Sequence, residues 1–123
     1  MTRINCGILP SELSHKHLIA EHREIKRVPN CVLKGRYSLK DQPCEFVLGK
    51  GHVKFFYDKL GYLKKRYDEL YKECKTRNFN VQYYGSAWEN IPKELMNDYH
   101  PTKDDANIVR ERIEEKLRKQ KKI

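Results

Sequence analysis

The chain has 123 residues and a formal charge of +9, from 26 lysines and arginines against 17 aspartates and glutamates. This length suits one domain with a modest hydrophobic core, and the positive excess indicates a polyanionic partner, either nucleic acid or an acidic membrane surface. No apolar run approaches the roughly 20 residues that span a bilayer, and the first residues lack the apolar core of a signal peptide, which excludes a membrane-spanning protein and predicts a cytoplasmic one.

The first predicted helix runs from about Ser11 to Ile25, with Ser11 as its N-cap. Steps of four, three and four residues give this helix a face that begins apolar and ends in a carboxylate: Leu13, His17, Ala20 and Glu24. Arg23 and Arg27 form a basic edge beside that face.

The second and strongest predicted helix runs from about His52 to Lys75. Its apolar positions form one nearly continuous stripe: Val53, Phe56, Tyr57, Leu60, Leu63, Tyr67, Leu70 and Cys74. The third predicted helix begins after Pro101, with Thr102 as its cap and an apolar face that includes Ala106 and Val109.

The segments between these helices, residues 28–48 and 79–99, are rich in turn formers and lack helical periodicity. The pattern therefore predicts an all-α fold, a single compact domain of three main helices with irregular connecting loops. The four dispersed cysteines show no paired zinc spacing, and we interpret them as reduced thiols that are mostly buried or half-buried.

The sequence has no motif for nucleotide hydrolysis, serine hydrolysis or a zinc protease. His15, His17 and His22 have spacings of two and five, which put no two of them squarely on one helical face. Because a helix-borne metal site uses spacings of three or four, we predict neither a metal nor another cofactor.

Glu24 ends the inward face of the first helix, beside Arg23 and Arg27. One interpretation is a salt bridge to Arg27 or to the third helix. The other is a functional carboxylate, because nearby positive charge favours the ionised form, which stabilises a cation or abstracts a proton.

The N-terminus offers a second reactive group. Thr2 is small, so Met1 is readily removed to expose an α-amine with a reference pKa of roughly 7.7–8.0, against about 10.4 for lysine. A useful fraction of such an amine is uncharged and nucleophilic near neutral pH. By itself, however, a Met-Thr start carries no functional signal.

Three stretches of the chain resemble the phage-type pyrimidine-dimer DNA glycosylase/AP lyase family called endonuclease V. They are the opening Met1–Asn5, the helical segment His17–Arg27 and the central segment Gly49–Leu60. Weaker similarity continues through residues 79–116, so the resemblance covers nearly the whole chain in the right order.

The resemblance implies a mechanism and a partner. Thr2 matches the family's nucleophile, whose amine attacks C1′, expels the damaged base and forms an imine, and Glu24 matches the catalytic carboxylate that assists β-elimination and strand cleavage. The expected DNA contacts are Arg3, His17, Arg23, Arg27, Arg112 and Lys116. The family kinks the duplex and turns a nucleotide out of the stack.

Residues 1–123 are therefore expected to form a single DNA-glycosylase/AP-lyase domain, monomeric and free of metal and cofactor. Its expected partner is damaged double-stranded DNA, in the cytoplasm of a prokaryotic or phage-infected cell, with the cyclobutane pyrimidine dimer as the lesion. Two other functions stay open: a non-catalytic DNA-binding module on the same scaffold, and an RNA or protein-interaction factor that only the charge supports.

The chain departs from the family at its C-terminal end, which lacks the family's aromatic tail near the lesion. Tyr83, Tyr84 and Trp88 lie in an earlier loop, where they either replace the tail as a stacking surface or pack on the core. Lys16 and Lys26 also stand where an amide and a proline are common in the family.

Overall fold

The computed structural model describes residues 3–121, and the side chains of residues 3–118. Its helices are α1 (His15–Glu24), α2 (Arg27–Leu33), α3 (His52–Phe55), α4 (Leu60–Thr76) and α5 (Lys103–Lys121). Short 3₁₀ turns lie at Pro10–Glu12, Gly85–Trp88 and Lys93–Leu95, and residues 3–121 contain no β-strand. The predicted all-α fold is confirmed.

The start of α1 differs from the prediction. Ser11 lies inside the first 3₁₀ turn, and Ser14 is the N-cap, because its extended backbone lets Oγ accept a hydrogen bond from the His17 N–H at 3.2 Å. The sequence contains both serines ahead of the same apolar face. The choice between them depends on backbone conformation, which the residue pattern alone does not report.

A helix also occurs where the sequence predicted an irregular loop. After a bend at Ile25 and Lys26, α2 buries Val28 and Val32 against the core. Pro29 is the third residue of α2, a position whose N–H has no partner within a helix, so the ring is tolerated there.

The predicted long helix from His52 to Lys75 is divided into α3 and α4. At the end of α3, the Gln42 side-chain amide donates to the carbonyls of Lys54 and Phe55, both at 3.1 Å. The Lys59 ammonium donates to the Phe55 carbonyl at 2.9 Å. Since these side chains satisfy carbonyls at the end of α3, the backbone turns before α4 begins.

The last helix, α5, begins with the predicted cap, Thr102. The Thr102 Oγ1 accepts from the Asp105 N–H at 3.1 Å, and the Asp105 carboxylate accepts from the Thr102 N–H at 3.0 Å. This reciprocal pair satisfies free donors at the start of α5.

The hydrophobic core lies along α4, which buries the part of the predicted apolar stripe that runs from Leu60 to Cys74. Leu63, Tyr67 and Leu70 are fully buried there, with α1 packed against them. All four cysteines are free thiols, and all but the exposed Cys44 are buried or half-buried. None of the helices described between residues 3 and 121 is long and apolar enough to cross a membrane.

Candidate active site

A cleft of about 490 Å³ opens between the N-terminal segment, α1 and α5. The predicted site residues Arg3, His17, Glu24, Arg112 and Lys116 all line it. Its remaining lining residues are Asn5, Lys16, Ala20, Glu21 and Ile113. The predicted α1 face therefore forms one wall, since three of its four members meet the cleft.

Glu24 is a half-buried carboxylate in this wall, with its side chain 15% exposed. Its Oε1 lies 3.8 Å from Arg23 Nη2 and 3.9 Å from Arg27 Nη1. These separations are too long for hydrogen bonds, so both pairs are purely electrostatic. Arg23 and Arg27 thus neighbour the site through Glu24 and do not line the cleft. Thr2, the predicted nucleophile, lies outside the described residues.

Positive charge is crowded into the cleft. The pKa of Arg112 lies below its ordinary value because of burial and, secondly, because of the like charge of Arg3. Lys16 and Lys116 add their side chains to the lining. An anion bound here relieves the repulsion between these cations, and the cleft is therefore suited to phosphate groups.

His17 is an uncharged group among these cations. Its Nδ1 lies 3.0 Å from Ser14 Oγ. Burial and then the positive charges of Arg112, Lys16 and Arg3 hold its pKa below the ordinary 6.5. The imidazole is consequently neutral near pH 7 and can act as a hydrogen-bond partner in the cleft.

A buried polar network that borders the cleft was not predicted from the sequence. Glu21 is 1% exposed and accepts hydrogen bonds from Asn5 Nδ2 at 2.7 Å and from Arg66 Nε at 2.7 Å. Arg112 Nη2 donates to Asn5 Oδ1 at 2.7 Å. Glu21 stands four residues after His17 and hence on the same helical face, which was the available signal for its location.

The three neighbouring histidines do not converge. His15 lies 3.2 Å from an Arg77 nitrogen, His17 faces the cleft, and His22 stacks on the Tyr67 ring with centroids 5.0 Å apart. Across the described part of the chain, no group of three or more histidine, cysteine or acidic side chains is arranged to hold a metal ion.

The aromatic residues of the loop between α4 and α5 differ in burial, and so in whether they pack on the core or could form a stacking surface. Trp88 is 4% exposed and packs on the core, with its ring centroid 5.0 Å from that of Tyr67. Tyr83 and Tyr84 remain 48% and 40% exposed, and the Lys26 ammonium lies 3.6 Å above the Tyr84 ring. Neither tyrosine lines the cleft.

The cleft thus combines one carboxylate with several cations beside the N-terminal segment. The family model described as pyrimidine dimer DNA glycosylase matches residues 1–84. This match spans more than half of the chain and includes the N-terminal segment and helices α1 to α4. The chain therefore belongs to the pyrimidine dimer DNA glycosylase family.

Proposed function

We propose that the protein breaks a glycosidic bond of a pyrimidine dimer in duplex DNA with its own N-terminal amine and then cuts the strand as an AP lyase. The main support for the proposal is that the Glu24 carboxylate lies in a cleft lined by several cations, one of which is Arg3. Arg3 directly follows Thr2, whose amine is freed when Met1 is removed. Membership of the family supports the lesion and the glycosylase reaction.

The proposed chemistry has two stages. The uncharged amine of Thr2 donates its electron pair to C1′ while the bond from C1′ to the base breaks, and the base departs with the bonding pair. The attached nitrogen releases one proton, which the departing base takes up. The C1′–O4′ bond then breaks with its electron pair going to O4′, which takes up a proton as the sugar ring opens, and a protonated imine joins the protein to C1′. Removal of a proton from C2′ then expels the 3′ phosphate by β-elimination, which cuts the strand.

In the proposed reaction, Glu24 acts on the positively charged imine. Its carboxylate stabilises the positive charge of the protonated imine and assists removal of the C2′ proton. Arg3, Arg112 and Lys116 neutralise phosphates in the cleft, and Arg23 and Arg27 extend this contact along the backbone. The reaction as proposed uses no metal or cofactor.

Borohydride trapping tests the proposal, because it reduces an imine to a stable bond. Purified protein, confirmed by intact mass to begin at Thr2, is incubated with duplexes that hold a pyrimidine dimer, an abasic site or no damage. We expect a covalent adduct with the two damaged duplexes, joined at the N-terminal residue. A chain with an uncleaved N-terminal extension keeps Thr2 but has no free amine there, and should give no adduct.

Glu24→Gln tests the carboxylate. We expect strand cleavage to fall by at least about 100-fold, because general acid–base groups commonly contribute that much, while affinity for damaged duplex stays within about twofold. Single-turnover cleavage and equilibrium binding measure the two effects. Glu12→Gln, on an exposed glutamate outside the cleft, is the matched control and should cleave normally.

Two results would overturn the proposal. Cleavage by Glu24→Gln at the wild-type rate would remove the assigned role of that carboxylate. The absence of any adduct from a chain that begins at Thr2, together with salt-dependent duplex binding, would instead indicate a non-catalytic DNA-binding module on the same scaffold.

A further inference from the structure

His52 holds the N-terminal segment from outside the cleft. It is the first residue of α3 and is 3% exposed. Its Nδ1 lies 2.8 Å from the Val47 carbonyl oxygen, and its Nε2 accepts a hydrogen bond from the Ile4 N–H at 2.8 Å. A carbonyl can only accept and a backbone N–H can only donate, so Nδ1 carries the proton and Nε2 is bare. Only this neutral tautomer makes both bonds.

We propose that His52 is a positioning residue, whose neutral ring anchors Ile4 and thereby sets where the Thr2 amine enters the cleft. The inference rests on the proposed function of that amine. Ile4 is fully buried, and the next residue, Asn5, is held by Glu21. Because peptide bonds are planar, only ψ of Thr2 and the two dihedrals of Arg3 separate the amine from the anchored N–H.

The surroundings of His52 keep it uncharged. The rings of Phe46 and Phe56 meet it edge-on, each with its centroid 5.5 Å away. Burial is the main cause that lowers its pKa from the ordinary 6.5, although the bond to Val47 acts in the opposite sense. The charged groups that act on it are Arg3 of the N-terminal segment, Glu21 of α1 and Arg112 of α5.

The anchor is specific to the neutral ring. A second proton on Nε2 would point at the Ile4 N–H, and two donors cannot form a hydrogen bond. Burial is the largest cause that lowers the pKa of His52; Arg112 and Arg3 act in the same sense, and Glu21 acts against them. His52 thus links the protonation state of a buried ring to the backbone at Ile4.

Substitution of His52 distinguishes a role in positioning, which changes the reaction rate, from a role in binding, which changes the DNA affinity. For His52→Leu, we expect single-turnover imine trapping on an abasic duplex to slow by at least about tenfold, since small misplacements of a reacting group are costly. DNA affinity should stay within about twofold, because His52 does not line the cleft. His52→Gln should recover most of the rate, because its carboxamide can donate to Val47 and accept from Ile4. His100→Leu removes an exposed imidazole and is the matched control.

Trapping by His52→Leu at the wild-type rate would overturn the proposal. So would an equal loss of rate, affinity and thermal stability in the leucine and glutamine variants, because that pattern indicates a purely structural residue.

A measurement on the unaltered protein tests the anchor without depending on whether a variant folds. Nitrogen NMR of the imidazole should show a protonated Nδ1 and a bare Nε2, and the Ile4 amide should exchange slowly with solvent. The opposite tautomer, or fast exchange at Ile4, would overturn the anchor. Failure of the wild-type chain to form any adduct would count against the amine mechanism, and the NMR result would still report on the anchor.

Discussion

Glu21 and Glu24 are three positions apart on α1, yet their surroundings are very different. Glu21 is 1% exposed and both of its oxygens accept hydrogen bonds, from Asn5 and Arg66. Arg66 also donates to the Ile8 carbonyl, which joins the segment after the N-terminus to α4. Within the described residues, the ion pairs of Glu24 are the two long ones with Arg23 and Arg27. The first carboxylate is therefore bound within the fold, and the second is left available for the catalytic role proposed for it.

Neutralising Glu21 should consequently destabilise the protein. For Glu21→Gln we expect the free energy of unfolding in urea to fall by about 3 kcal/mol, because the buried Arg66 guanidinium loses its counter-charge. Glu12→Gln breaks an exposed pair with Arg110 and should cost less than about 1 kcal/mol. A similar small loss in both variants would contradict the structural importance assigned to Glu21.

His22 makes stability depend on pH. Burial and then the charge of Lys26 lower its pKa, so the folded chain keeps His22 neutral where an unfolded histidine takes up a proton. Below about pH 6.5 the unfolded state thus binds more protons, and stability falls as the pH falls. His17 and His52, with pKa values shifted in the same direction, contribute in the same sense.

His22→Phe should reduce this dependence. The His22 ring stacks on Tyr67, and its buried Nε2 has no hydrogen-bond partner among the described residues. A phenyl ring preserves the stack and removes the unsatisfied nitrogen, so we expect stability at pH 7.5 to be equal or higher, by up to about 1 kcal/mol. Unfolding in urea at pH 7.5 and 5.5 measures the change, and His100→Leu should keep the wild-type dependence. A steeper fall in His22→Phe would contradict this account.

At the scale of elements, α3 is separated from α4 with the help of Gln42, a residue that lies outside the helix predicted from His52 to Lys75. Gln42 donates to two carbonyls at the end of α3 and to the Asp58 carboxylate at 2.9 Å. No periodicity within residues 52–75 reports such a partner. The sequence therefore predicted the buried stripe of α4 correctly from Leu60 and placed the start of the helix wrongly.

Gln42→Ala tests the importance of this cap. We expect a loss of about 1–2 kcal/mol in the free energy of unfolding, since carbonyls at the end of α3 lose their donor. Gln82→Ala, in an exposed loop, is the matched control and should change stability by no more than about 0.5 kcal/mol. Equal effects of the two substitutions would mean that α3 ends without help from Gln42.

The candidate site shows the same division between local and distant information. Helical geometry fixes the angles between residues on α1, so the spacing of His17, Ala20 and Glu24 along the sequence is enough to assign them to one wall. The distant partners of Glu21 and Ile4 could not be predicted in this way. The paired residues are far apart in sequence, Glu21 from Arg66 by 45 residues and Ile4 from His52 by 48, and a buried polar pair leaves no local pattern.

For the molecule as a whole, the charge of +9 predicts DNA binding that weakens steeply with salt. Lys16 lines the cleft, and Arg23 lies at its edge beside Glu24. A lysine or arginine that contacts a phosphate releases about one counterion from the DNA. Replacing Lys16 or Arg23 with alanine should therefore reduce the magnitude of the slope of log affinity against log salt concentration by about one. Lys75→Ala, on α4 beside Tyr71, is the control and should leave the slope unchanged. An unchanged slope in Lys16→Ala would mean that the cleft does not hold phosphates.

The cleft takes its walls from both ends of the chain, and this affects when it can exist during synthesis. Arg112 donates to Asn5 across 107 residues, so a ribosome-bound chain holds the N-terminal segment and Glu24 long before α5 is made. Until that helix emerges, Arg112 and Lys116 cannot make the phosphate contacts proposed for them. An unfinished chain thus holds the proposed reactive groups without all of the proposed phosphate contacts, and we expect translation itself to delay the onset of the proposed reaction.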